Sequence, residues 1–166
     1  GSNGTSIKRI FYQKLAFTMG IFFVLLSIKT IGTVVFSILQ NIQLPLSTIL
    51  IHLSGEMLNV FILACFTITL SMILKKQGLL MAFGFLGGFF GVVLSSKSSY
   101  LLSFLIPWIG SAYLAPYKFH LIDGTTYCYE LDPQIFLRII LYFVFCVICY
   151  IFCKGVISNK EGVLYD

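Results

Sequence analysis

This sequence predicts an all-α integral membrane protein, a polytopic helical bundle, and three observations lead to that fold class. Four apolar stretches, residues 14–39, 47–74, 78–95 and 134–153, reach or approach the roughly 20 residues a helix needs to cross a hydrocarbon core of about 30 Å. The chain is 58% hydrophobic and only 10% charged, with a mean hydropathy of +0.98, which leaves too little polar surface to cover a soluble globule. Its 11 Lys and Arg exceed its 6 Asp and Glu, for a net charge of +5. These basic residues gather at the ends of the apolar stretches, where they set topology and meet lipid headgroups. They form no basic run and no nucleic-acid motif, so membrane lipid is the expected partner of the positive charge and nucleic acid is not. At 166 residues the chain has room for a single transmembrane domain spanning 1–166.

The elements follow in order. Residues 1–13 read as a cytoplasmic lead-in. The apolar stretch behind them is too long for the core of a signal peptide. Lys8, Arg9 and Lys14 precede the apolar run of the first span, Leu15–Leu39, with Phe11 and Tyr12 at headgroup level. That span carries one charge, Lys29. The turn Gln40-Asn41-Ile42-Gln43-Leu44-Pro45 ends it, and Pro45 stands where a proline can lead into a helix, with Ser47 or Thr48 as its cap. The second span holds His52 and Glu56, one helical turn apart. It ends at Lys75-Lys76-Gln77-Gly78, a basic turn with a helix-stop glycine.

The third span is rich in glycine. Gly84, Gly87, Gly88 and Gly91 fall at i, i+3, i+4 and i+7, and both i, i+4 pairs have the small-xxx-small spacing that lets another helix approach closely. Residues 99–116 are apolar but short, with Pro107 near their centre and Gly110 soon after. Proline removes a backbone hydrogen bond and breaks a helix. This segment therefore reads as a broken, re-entrant piece packed in protein, since broken backbone is tolerated at membrane depth only there or along a cavity. Residues 117–133 read as a polar outer loop, 134–153 as the last crossing and 154–166 as a cytoplasmic tail.

Charge asymmetry does not choose between four and five crossings, because the Lys and Arg divide seven to three either way once Lys29 is set aside. The proline-broken segment decides for four crossings with both ends in the cytoplasm. The five cysteines do not form a disulfide framework. Cys65, Cys146, Cys149 and Cys153 lie in apolar helices, where a thiol behaves as a small hydrophobe, and Cys128 stands alone in the polar loop.

A helix ending Thr67-Ile68-Thr69-Leu70-Ser71, a basic turn, a glycine-rich helix and then Phe104-Leu105-Ile106-Pro107-Trp108 resembles the ABC-2-type permease subunits of lantibiotic-immunity transporters. The lead-in ending Tyr12-Gln13-Lys14-Leu15 is similar to the segment that opens the third helix of such permeases. The resemblance runs from about Ile7 to Lys154. It implies a permease that expels an antimicrobial peptide from the membrane, paired with a second permease subunit and an ATP-binding ABC subunit, in the plasma membrane of a Gram-positive bacterium. It also implies six crossings. The four here would be the last four, which agrees with a chain that starts without Met. No G-x-x-x-x-G-K-[ST] loop is present to cradle phosphates, so no cofactor is expected in this chain; ATP and Mg would sit on the partner ATPase.

Each candidate residue has a functional and a structural reading. Glu56 and His52 could line the peptide path, because a carboxylate in a membrane helix is costly and faces a bundle interior or a wet cavity. Alternatively Glu56 is partnered by His52 or Lys29 to fix packing. A His and a Glu alone are too few ligands for a metal. Lys29 could join them or snorkel to an interface. Pro107 and Trp108 could shape an outer gate, or Trp108 could sit in the interfacial aromatic belt. Lys8, Arg9, Tyr12, Lys75, Lys76 and Gln77 could touch the ATPase, or simply obey positive-inside topology. His120 and Cys128 would suit a cysteine peptidase, but no third orienting group stands out, and a non-catalytic permease is the expected class.

Overall fold

A computed structural model of the chain describes residues 6–74, 77–95, 104, 106–121 and 127–163. Four long helices dominate: α1 (Ile7–Leu39), α2 (Leu46–Ile73), α3 (Gln77–Ser95) and, after the broken segment, α5 (Ile135–Val163). Each is long and apolar enough to cross a membrane. Between α3 and α5 come a 3-10 turn (Pro107–Ile109), a short helix α4 (Gly110–Tyr113) and an antiparallel hairpin of β1 (Tyr117–Leu121) and β2 (Tyr127–Leu131). Short connections make the long helices antiparallel neighbours. The α1–α2 turn and the hairpin therefore share one end of the bundle, and Ile7 and Val163 lie at the other.

Two boundaries differ from the sequence expectation. The lead-in and the tail are helical: α1 begins at Ile7 and α5 continues to Val163. A helix once nucleated gains a hydrogen bond with each added residue, and neither segment contains a proline to stop it. At 33 residues, α1 is about 50 Å long, so its basic end extends well past a hydrocarbon core of about 30 Å. The region 117–133, expected as a loop, instead contains the hairpin. Tyr117-Lys118-Phe119-His120-Leu121 alternates apolar and polar residues with the period of a half-buried strand.

The turn between α1 and α2 has an identifiable cause. Asn41 adopts φ 57°, the left-handed region that asparagine tolerates better than most residues. Around it the Ile42 amide donates to the Ser37 carbonyl at 2.8 Å and the Asn41 amide to Ile38 at 3.0 Å, the paired bonds of a Schellman helix end. Pro45 then caps α2, which starts at Leu46 rather than after a Ser47 or Thr48 cap.

α2 is the central helix, packed against α1, α3 and α5. Towards the Ile7 end, Phe11 and Leu15 of α1 pack on Ala64, Cys65 and Ile68 of α2 and on Cys153 and Ile157 of α5. Towards the hairpin end, Ile62 packs with Tyr113, Leu114, Tyr142 and Cys146, and the Phe104 ring lies beside Phe145 at 4.6 Å. The four helical cysteines are free and buried, small apolar fillers as expected. Much of the remaining apolar surface points outward: Phe17 is 71% exposed, Phe85 78% and Phe152 64%. Contiguous apolar faces of this extent suit hydrocarbon or a partner helix, not water.

The described part of the proline-broken segment holds the helical residue Phe104, the 3-10 turn and four-residue α4. It is wedged between α3 and the rest of the bundle. On one side Trp108 lies over α3. A Cβ on Gly87 would collide with the indole ring, and one on Gly91 would stand 2.9 Å from the Trp108 carbonyl oxygen. On the other side Gly110 sits against Tyr142 and Asn59, whose buried side chains share a 3.0 Å hydrogen bond from the Tyr142 hydroxyl to Asn59 Oδ1. The glycine face of α3 thus divides. Gly87 and Gly91 accommodate Trp108, while for Gly84 and Gly88 no described residue has an atom within 4 Å of such a Cβ.

Trp108 is the single tryptophan, so its fluorescence reports this contact. Gly87→Val and Gly91→Val should shift the emission maximum of the purified chain. Gly84→Val and Gly88→Val should leave it where it is. An unchanged spectrum in Gly87→Val would mean that the indole does not lie on α3.

Candidate functional site

The candidate site follows from the antiparallel α1–α2 pair. Lys29 lies ten residues before the last residue of α1, and Glu56 ten residues after the first of α2. At 1.5 Å per residue both stand about 15 Å below the turn, at one depth on facing helices. The Lys29 ammonium donates to Glu56 Oε1. His52, one turn nearer the hairpin end, brings Nε2 to 3.4 Å from the same oxygen. Glu56 is 13% exposed, and its second oxygen, Oε2, is buried with no hydrogen-bond partner among the described residues. Lys29 and His52 remain 54% and 41% exposed. The carboxylate is therefore the inner member of the cluster and the cations the outer ones. Lys29 is ion-paired to Glu56.

The exposed sides of Lys29 and His52 line a groove of about 230 Å³ between α1 and α2. It rises past Thr33 and Thr48 to Leu44 in the interhelix turn and to Pro116 and Tyr117 at the start of the hairpin. Thr30 and Thr33 also line it, but their hydroxyls already donate to the carbonyls of Leu26 (2.7 Å) and Lys29 (3.0 Å). Pro107 and Trp108 do not line this groove; Pro107 is buried and Trp108 rests on Gly87 and Gly91 of α3. The structure thus joins three of the predicted path residues and places the other two elsewhere.

Of the remaining predicted residues, Lys8, Arg9, Tyr12 and Gln77 lie at the opposite end. Arg9 and Tyr12 are exposed on the first turns of α1, Lys8 is half-buried beside them, and Gln77 is exposed at the start of α3. Lys75 and Lys76 lie outside the described residues. No group of three or more potential metal ligands occurs among the described residues.

Sequence reasoning missed a second charged cluster, at the hairpin end of α5. Asp132 and Arg138 are buried, 4% and 5% exposed. Arg138 Nη1 is 3.0 Å and Lys118 Nζ 3.2 Å from Asp132 Oδ2, and the Arg138 guanidinium lies 5.3 Å from the centre of the Tyr113 ring. Asp132 Oδ1 accepts the Gln134 amide at 3.0 Å, an Asx turn leading into the helix. The cluster ties hairpin, α4 and α5 together. An aspartate two residues ahead of an apolar run was its one visible signal. The hairpin register also sets His120 opposite Cys128, which the sequence did not foretell.

Burial alone would raise the Asp132 carboxyl, but the Gln134 amide and the cations Lys118 and Arg138 outweigh it and hold the group below its usual 3.8. Comparison of the chain with protein-family models, curated proteins and solved structures returns no match.

A depressed carboxyl stabilises the fold above the unfolded value, and that stability is lost as pH falls through the lower folded one. Asp132→Asn leaves Arg138 buried without its counter-charge and should cost about 3 kcal/mol near neutral pH. The gap from the parent chain should begin to narrow near the usual carboxyl value of 3.8 and close as pH falls through the lower folded one. Unfolding curves in detergent at neutral and low pH check this; a gap that persists at low pH would mean that the loss is not electrostatic.

Proposed function

We propose that this chain is the membrane permease subunit of an ABC exporter that expels an antimicrobial, lantibiotic-type peptide from the membrane and so confers immunity. The observation that carries the proposal is the Lys29–Glu56–His52 cluster. Ionisable side chains deep in a membrane bundle are costly and mark substrate paths, and this cluster borders a groove between two crossing helices. The short motifs around Thr67–Ser71 and Phe104–Trp108 support the same assignment by resemblance. On this reading ATP is hydrolysed by a partner ATPase, reached through the basic end of α1 at Lys8, Arg9 and Tyr12 and through the α2–α3 turn at Lys75, Lys76 and Gln77. A second permease subunit covers part of the exposed apolar surface, and the site of action is the plasma membrane of a Gram-positive bacterium. Export of another hydrophobic or peptide cargo would use the same parts.

One observation favours a second reading. The hairpin register sets His120 opposite Cys128, and a histidine and a cysteine are the two groups a cysteine peptidase needs. The two readings differ in what they require. A transporter needs neither a thiolate nor a base in the hairpin; a peptidase needs both.

The test is growth of cells challenged with the peptide, with membrane expression measured alongside. Cys128→Ser with His120→Ala should keep full protection. Glu56→Gln, which retains hydrogen bonding, should be mild, and Glu56→Leu severe. Loss of protection in the hairpin double variant at normal expression would replace the permease by the peptidase.

A further inference from the structure

The groove between α1 and α2 has a sign. Glu56 does not line it: its Oε1 faces Lys29 and His52, and its Oε2 is buried. Thr30 and Thr33 have their hydroxyl protons committed to backbone carbonyls and present lone pairs only. The donor of full charge that the groove offers is the Lys29 ammonium. It has three N–H groups, of which Glu56 takes one, and it is 54% exposed. His52 stands beside it, 41% exposed. Lys29 stays more than half exposed on the side away from Glu56, about 15 Å from the helix end, and its two remaining N–H groups there suit an anionic oxygen.

The shape limits what that anion can be. At about 230 Å³ the groove is smaller than the roughly 300–1,000 Å³ of a typical small-molecule pocket, so it takes a headgroup rather than a folded peptide. It runs up to the hairpin end at Leu44 and Tyr117, the level of a membrane interface. Below it, away from the hairpin end, the α1 surface is apolar and open, with Ile28 62%, Leu25 53% and Phe22 40% exposed, a bed for acyl chains.

We propose that this groove binds an anionic phospholipid, its phosphate on the Lys29 ammonium beside His52 and its chains along α1. The ligand enters from the hairpin-end interface. Tyr117 borders the entrance, and Glu56 holds the lysine in place from behind. This requires only that the chain lies in a bilayer. It stands or falls separately from peptide export.

The purified full chain in mild detergent, offered equal amounts of phosphatidylglycerol and phosphatidylcholine, tests it by native mass spectrometry of the retained lipid. One cation near a lipid surface contributes roughly a fivefold preference, so phosphatidylglycerol should be retained about fivefold over phosphatidylcholine. Lys29→Gln should bring the ratio to parity, and Lys29→Arg should restore it. Glu56→Gln, which frees the ammonium, should keep or raise it. Thr33→Phe fills the groove from an exposed position on its wall and should also abolish the preference, which decides the matter if Lys29→Gln does not fold. Equal retention by the parent chain, or a preference that survives Thr33→Phe, overturns the proposal. Displacement by excess inorganic phosphate would make this an ion site and overturn the lipid assignment.

Discussion

The constraint on which the arrangement depends is the carboxylate of Glu56. A charge within a membrane helix must be compensated inside the protein, and in this chain the compensation comes from the helix before it. Ten residues on either side of one tight turn put Lys29 and Glu56 at the same depth. The pair therefore fixes the register of α1 against α2. Where α1 runs past the turn, Asn41 in the left-handed region closes the helix end, so turn and ion pair specify the same alignment. Consistency of this kind between local and tertiary signals is what makes a register unique.

From α2 the remaining elements are placed by polar contacts and by small residues. Asn59 reaches Tyr142 on α5, and Gly110 lets the short α4 lie against both. Gly87 and Gly91 make a notch for Trp108, joining α3 to the bundle through the proline-broken segment. Asp132 then links Lys118 of the hairpin to Arg138 of the last helix. The hairpin end is thus polar and cross-linked, whereas α1 and α3 expose long apolar faces. A membrane-embedded protein can be apolar outside because lipid is as apolar as its core. Its uniqueness must come from packing shape and from the few polar groups within.

Much of this was legible in the sequence. Four helices long and apolar enough to cross a membrane, the break at Pro107, buried helical cysteines and the Glu56 partners Lys29 and His52 all follow from hydropathy, proline chemistry and spacing. The glycine stripe was legible as a close-packing surface, but its occupant was not. Spacing gives a face, and nothing in it tells a neighbouring helix from a single indole 17 residues beyond Gly91 in the same chain. The hairpin was hidden because five alternating residues per strand are a weak signal beside tyrosines that also suit a headgroup belt. The Asp132–Arg138 pair was hidden because Arg138 reads equally well as a topology-setting charge. Helix ends at Ile7 and Val163 lay beyond the apolar stretches, where hydropathy has no information.

The most direct test of this account exchanges the two charges of its central pair. Lys29 is more than half exposed, so the coupling should be about 1–2 kcal/mol, below the roughly 3–5 kcal/mol penalty for breaking a fully buried pair. Lys29→Glu and Glu56→Lys each place like charges together and should lower unfolding stability in detergent. The double variant Lys29→Glu/Glu56→Lys restores opposite charges and should recover most of that loss. A double variant no more stable than the worse single one would show that Lys29 and Glu56 do not pair, and the register of α1 on α2 would need another cause.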